Sequence, residues 1–119
     1  MKKMKPLPKR WYKKFKFIQC GLECGEGWNQ MLYELCTKIQ QYITDTPLQS
    51  NFRVTQIKEK FGTLRFYCSG TTETIEHLID QYEIKSSITC ENCGQPGKTV
   101  CIDGWYSTLC KMCIFKRCL

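Results

Sequence analysis

Histidine is almost absent from this chain: His77 stands alone among 119 residues. One imidazole excludes a histidine-rich metal site. With no G-x-S-x-G turn either, a nucleophile triad has no support. Long apolar runs are missing too. No stretch approaches the ~20 apolar residues that span a bilayer, so no membrane partner is expected. Lysines interrupt every apolar stretch near the N-terminus, which therefore lacks the apolar region of a secretion signal. The expected compartment is reducing cytoplasm, where cysteines serve as thiols or metal ligands. Acid is missing from residues 1–17, which carry eight basic groups. Proline is scarce, and Pro6 and Pro8 keep residues 1–10 out of regular structure.

What the chain does have is cysteine: ten of them, beside 18 Lys+Arg and 11 Asp+Glu for a formal charge of +7. Hydrophobic residues make up 42%, with six Phe, six Tyr and three Trp, enough for a core. The length suits one domain with at most a small appended module, and it excludes a large two-lobed enzyme. The positive charge is uneven. Residues 18–89 hold six basic and nine acidic groups, and residues 90–119 four and two. The basic character therefore belongs to the N-terminal arm. Such arms seek polyanions, or serve as solubilising tails without a target.

Alternation at Lys14, Phe15, Lys16 and Phe17 predicts a short strand. A glycine-rich turn over 20–27 follows. Trp28, Met31, Leu32, Leu35, Cys36, Ile39, Tyr42 and Ile43 then recur at helical steps, with Pro47 as the stop. Residues 52–60 and 63–68 predict two strands around a tight turn at Phe61-Gly62, with Leu64, Phe66 and Cys68 inward and Arg65 and Tyr67 outward. A second helix is expected near 72–84, capped by Thr72, with Ile75, Leu78, Ile79 and Tyr82 inward. The fold class is α+β: a small antiparallel sheet packed by two helices in the order β-α-β-β-α. The expected units are a flexible basic arm over 1–13, an α+β core over 14–86, and a C-terminal module over 87–119 packed on the core.

That module carries the sharpest signal. Cys90-x2-Cys93 and Cys110-x2-Cys113 have the spacing of a four-sulfur zinc site, because two intervening residues let one backbone turn aim both sulfurs at one ion. Gly94 follows the first pair. Asp103-Gly104 between apolar runs marks a hairpin that returns the second pair to the first. The expectation is a zinc ribbon holding one structural Zn2+. Its four positions are all filled by protein, which argues against zinc catalysis. A pair of redox disulfides is the competing reading. Cys36 and Cys68 read as core residues, and Cys101 and Cys118 as spare thiols near the module. Cys20 and Cys24 are two ligands without a third.

Signals of catalysis are thin. Gly97-Lys98-Thr99 lacks the earlier glycine of a phosphate loop. Glu23 and Glu26 can bind a hard cation or simply favour the start of the first helix. His77 lies off the apolar stripe of its helix.

Gly25-Glu-Gly-Trp28 opening a helix, the Lys58-Glu-Lys-Phe-Gly-Thr-Leu-Arg-Phe-Tyr67 hairpin, and Cys90-x2-Cys93 with Gly104-Trp105 and Leu109-Cys110 form one linear pattern. It resembles a group of short, uncharacterised bacteriophage and prophage proteins over residues 20–113. In that group the second metal pair can read Cys-x2-His, whereas here it is Cys110 and Cys113. The group has no established activity, so no catalytic residue carries over. The resemblance implies a phage-type accessory protein in the bacterial host cytoplasm, of the kind that binds and alters host machinery.

The function expected is therefore binding, not catalysis. The chain would engage a nucleic-acid or nucleoprotein machine of the host, as an inhibitor or regulator. One alternative is direct nucleic-acid binding through the arm, using Lys9, Arg10, Trp11, Tyr12, Lys13, Lys14 and Lys16, cations for phosphates and Trp11 and Tyr12 for unpaired bases. A second is a metal-dependent nuclease built on Glu23 and Glu26.

Overall fold

Seventeen residues of helical periodicity form α1, Asn29–Asp45, whose apolar stripe (Met31, Leu32, Leu35, Cys36 and Ile39) is buried. The computed structural model describes residues 6–46 and 51–117. The stop at Pro47, the lysines at 2, 3 and 5, and Cys118 lie outside the described residues. α1 packs with α2, Glu73–Ser86, which buries Ile75, Ile79 and Tyr82. Thr72 caps α2 by accepting the Ile75 N–H at 3.3 Å, and Glu73 and Glu76 occupy its positive end. Leu78 is partly buried against the core.

A three-stranded sheet lies under the helices. β1, Leu22–Glu23, runs parallel to β2, Arg53–Lys60, and β2 pairs antiparallel with β3, Thr63–Ser69. The sheet is therefore mixed, which corrects the antiparallel expectation. Period-two alternation sends Ile57, Leu64 and Phe66 inward. A bulge falls between Val54 and Gln56. Beyond α2 come β4, Lys98–Ile102, and β5, Trp105–Leu109, an antiparallel hairpin, and then α3, Lys111–Arg117. Among the described residues no helix is long and apolar enough to cross a membrane.

The N-terminal segment departs from expectation twice. Residues 14–17 are not a strand. Trp11–Lys14 forms a 3-10 turn, and only Ile18 makes an isolated bridge, to Val54. Phe15 and Phe17 are nevertheless both buried: the ring of Phe15 lies 5.6 Å from Phe17, and Phe17 lies 5.2 Å from Phe52. The second departure is Trp11. It is only 3% exposed, edge-on to Phe15 and to Tyr33 of α1. A buried indole removes the largest apolar surface of this segment from water. The core therefore begins at Trp11, inside the stretch read as arm.

Candidate metal centre

Two backbone turns build the centre. In the first, the Gly94 N–H closes on the Cys90 carbonyl at 2.9 Å, with Gly94 at φ +83°, a conformation that favours glycine. The second pair spans the end of β5 and the first turn of α3, where the Ile114 N–H reaches the Cys110 carbonyl at 3.0 Å. The β4–β5 hairpin carries the pairs together. Its Asp103-Gly104 bend has φ +52° and +83°, both positive as a two-residue hairpin turn requires.

The four Sγ atoms of Cys90, Cys93, Cys110 and Cys113 all lie within 4.8 Å of one another, and Cys93 and Cys110 are 3.6 Å apart. A tetrahedron of sulfurs at about 2.3 Å from one ion has edges of roughly 3.8 Å. The set thus fits a metal ion with soft ligands and is compatible with zinc. Cys90 and Cys113 are buried beside Leu109, with Ile102 and Ile114 packed around them. Asn92 Nδ2 donates to Cys113 Sγ at 3.2 Å, the kind of outer contact that orients a ligand. Burial raises the Cys90 thiol, but N–H groups of Cys110, Cys93 and Asn92 outweigh it and bring it down to about 6. Cys110 is lowered chiefly by the Cys113 N–H. Cys93 receives the Gln95 N–H yet is pushed up to about 12 by burial and the neighbouring sulfurs. Thiolate is therefore concentrated on part of the cluster, the form that binds metal.

Two glycine contacts fasten this unit to the core. At the first, the Gly25–Gly27 turn lies flat on the Cys90–Cys93 turn. The Gly27 N–H donates to the Glu91 carbonyl at 2.7 Å, and the Gly25 N–H to Glu91 Oε2 at 2.8 Å. Trp28 Nε1, fully buried, donates to the Thr89 carbonyl at 2.8 Å. A Cβ on Gly27 would overlap the Cys90 carbonyl and come within 2.5 Å of the Glu91 oxygen. At the second, buried Thr108 donates to the Gly62 carbonyl at 2.7 Å and is met by the Thr99 hydroxyl at 2.6 Å. The role of Gly25 and Gly27 escapes sequence reading, because their partner is Glu91, more than 60 positions away.

None of the other sequence candidates joins the four sulfurs, although Glu26 lies in the turn that rests on the Cys90–Cys93 turn. Lys9, Arg10, Lys13, Lys14 and Lys16 are exposed and Tyr12 is half-buried, but Trp11 is buried and offers no ring for stacking. Lys14 Nζ donates to the Tyr33 hydroxyl at 2.6 Å. Glu23 lies on β1 and accepts Gln56 Nε2 at 3.0 Å, whereas Glu26 sits in the 3-10 turn Glu26–Trp28 that leads into α1. His77 is exposed beside Gln81. Burial raises the Cys20 thiol, and pushes Cys24 up to about 12 with help from Glu91, Glu23 and Glu59. Among the described residues, the four-sulfur set is the only group of His, Cys, Asp or Glu side chains placed to hold a metal. Comparison with family models, curated proteins and solved structures found no match to this chain.

Proposed function

We propose that the C-terminal unit is a zinc ribbon holding one structural Zn2+ on Cys90, Cys93, Cys110 and Cys113, closing a β-α-β-β-α core. The observation that carries this is the convergence of four sulfurs within 4.8 Å. Zinc supplies folding free energy there, on the order of 10 kcal/mol, and a closed four-thiolate set leaves no position for an activated water. The protein then acts by binding rather than catalysis. It is a cytoplasmic, phage-type accessory protein that engages a nucleic-acid or nucleoprotein machine of the bacterial host as an inhibitor or regulator. Support for a polyanionic target comes from Lys9, Arg10, Lys13 and Lys16, exposed on a segment anchored by Trp11. An anchored basic segment loses less freedom on binding than a free tail.

Two measurements test this reading separately. Native mass spectrometry is expected to find one zinc per chain, with the sulfurs lost to alkylation after chelation; a metal-free folded protein would refute the ribbon. Fluorescence anisotropy with single- and double-stranded oligonucleotides across a salt series is expected to show binding that falls steeply with salt. Binding only at millimolar protein would move the target to a host protein.

A further inference from the structure

The outer face of the β2–β3 hairpin carries side chains that the core does not use. Cross-strand partners there are Gln56 with Tyr67, Lys58 with Arg65, and Lys60 with Thr63, all pointing away from Ile57, Leu64 and Phe66. Lys58 and Arg65 are like charges set directly opposite, an arrangement that disfavours the sheet. Among the described residues neither Lys58 nor Arg65 makes an ion pair. Two ion pairs elsewhere in the molecule, from Lys38 and Lys85, both go to Glu34. The carboxylate nearest this face in register, Glu23 beside Lys58, accepts from Gln56.

Aromatic rings alternate with these cations. Tyr67 is 43% exposed, with Lys58 Nζ 5.7 Å from its ring centre. At the tip, Phe61 is 66% exposed under Lys60 Nζ at 5.7 Å. The metal unit adds a third ring: Tyr106, 51% exposed, stands edge-on to Phe61 at 6.5 Å. Phe61 holds this place with φ +54°, a left-handed backbone that a bulky residue resists. The ring is neither buried nor favoured by its own turn, and among the described residues its ring contacts are only Tyr106 and Lys60; such outliers point to a role beyond the turn itself.

We propose that this face, built from Lys58, Lys60, Arg65, Tyr67, Phe61 and Tyr106, binds single-stranded nucleic acid. The cations take the phosphates, and the rings stack on unpaired bases, which any base offers and a duplex withholds. From Phe61 to Tyr67 the strand runs roughly 20 Å, at about 3.4 Å per residue, room for a short single strand. The inference rests on the nucleic-acid branch of the reading above and moves the base-reading surface from the N-terminal segment to the sheet. It also explains why the metal unit is fastened at Gly62: that contact sets Tyr106 beside Phe61.

The test is anisotropy of the full-length, zinc-loaded protein with fluorescein-labelled oligothymidylate of about 12 nucleotides, an oligouridylate of the same length, and a duplex. Variants are Phe61→Asn, Tyr67→Ala, Lys58→Ala with Arg65→Ala, and Lys13→Ala with Lys16→Ala. Zinc content and circular dichroism are measured for each. Single-strand preference is expected, on DNA or RNA. Each ring variant should lose at least about fivefold in affinity with fold and zinc intact. Loss of Lys58 and Arg65 should flatten the salt slope by about 0.7 per cation. If the chain binds but both ring variants stay within about twofold of the parent while the Lys13/Lys16 variant weakens, the face is overturned and the N-terminal segment keeps the nucleic-acid role. If no oligonucleotide binds, the face and the nucleic-acid branch both fall, and zinc content alone still judges the ribbon.

Discussion

Two hairpins in this molecule turn through the same bend and fill it differently. Between β4 and β5 the bend is Asp103-Gly104, at φ +52° and +83°. Between β2 and β3 it is Phe61-Gly62, at φ +54° and +86°. Asp tolerates the left-handed region because its short side chain bonds locally; a bulky residue there costs about 1–2 kcal/mol. The supports differ as well. β2 and β3 lie against the main core, whereas β4 and β5 rest on a cluster of only Cys90, Leu109 and Cys113 with a few partly buried neighbours. One hairpin thus follows its local rule and rests on the small cysteine cluster, and the other breaks its local rule on a secure foundation. A secure foundation is where a strained, exposed ring can be kept for contact.

The comparison breaks most sharply at the sulfurs. Cys113→Ser, or chelation, is expected to abolish amide protection over 98–109 while leaving it over 53–69, as judged by hydrogen exchange. A structural zinc held by the four sulfurs would contribute on the order of 10 kcal/mol to the first segment and nothing to the second. Equal protection in both would separate the β4–β5 hairpin from the metal. Next comes the fastening. Gly27→Ala forces a Cβ onto the Cys90 carbonyl and is expected to destabilise by about 1–3 kcal/mol, whereas Gly21→Ala, with nothing within 4 Å, should stay within about 0.5 kcal/mol in urea unfolding.

Exchanging the turn residues sharpens the contrast further. Asp103→Phe should lose about 1–2 kcal/mol, and Phe61→Asn should gain about 1 kcal/mol, measured by thermal unfolding with zinc held constant. The smallest effect concerns thiols away from the centre. Exposed Cys101 should alkylate rapidly at pH 8, with Cys24 and Cys36 lagging, because burial raises both of the latter and pushes Cys24 up to about 12. The sign for stability follows. An unfolded thiol ionises near 9.0 and folded Cys24 only at about 12, so its contribution is full below 9.0 and declines as pH rises toward 12.

Much of this architecture is legible in the chain because its signals are local. The stripe from Met31 to Ile39, the Thr72 cap, the glycine bend after Phe61 and the paired cysteines each declare themselves within a few residues. What was hidden depends on distant partners. Trp11 shows no periodicity, and its burial is decided by Tyr33 on α1, 5.8 Å away ring to ring. Phe15 and Phe17 alternate like strand residues but are buried from an irregular segment that lines up beside Val54. Two residues of β1 are too few to carry a pattern. α3 buries only Cys113, so no stripe announced it. The pair Gly25 and Gly27 reads as a simple turn until the cysteine knuckle is laid against it.

The most direct measurement pairs two readouts on one variant: the melting temperature and the oligothymidylate affinity of zinc-loaded Phe61→Asn. The account predicts opposite signs, a melting temperature that rises and an affinity that falls at least about fivefold, because the turn prefers Asn and the strand needs the ring. A melting temperature that falls, with affinity unchanged, would make Phe61 a packing residue against Tyr106 and contradict the account.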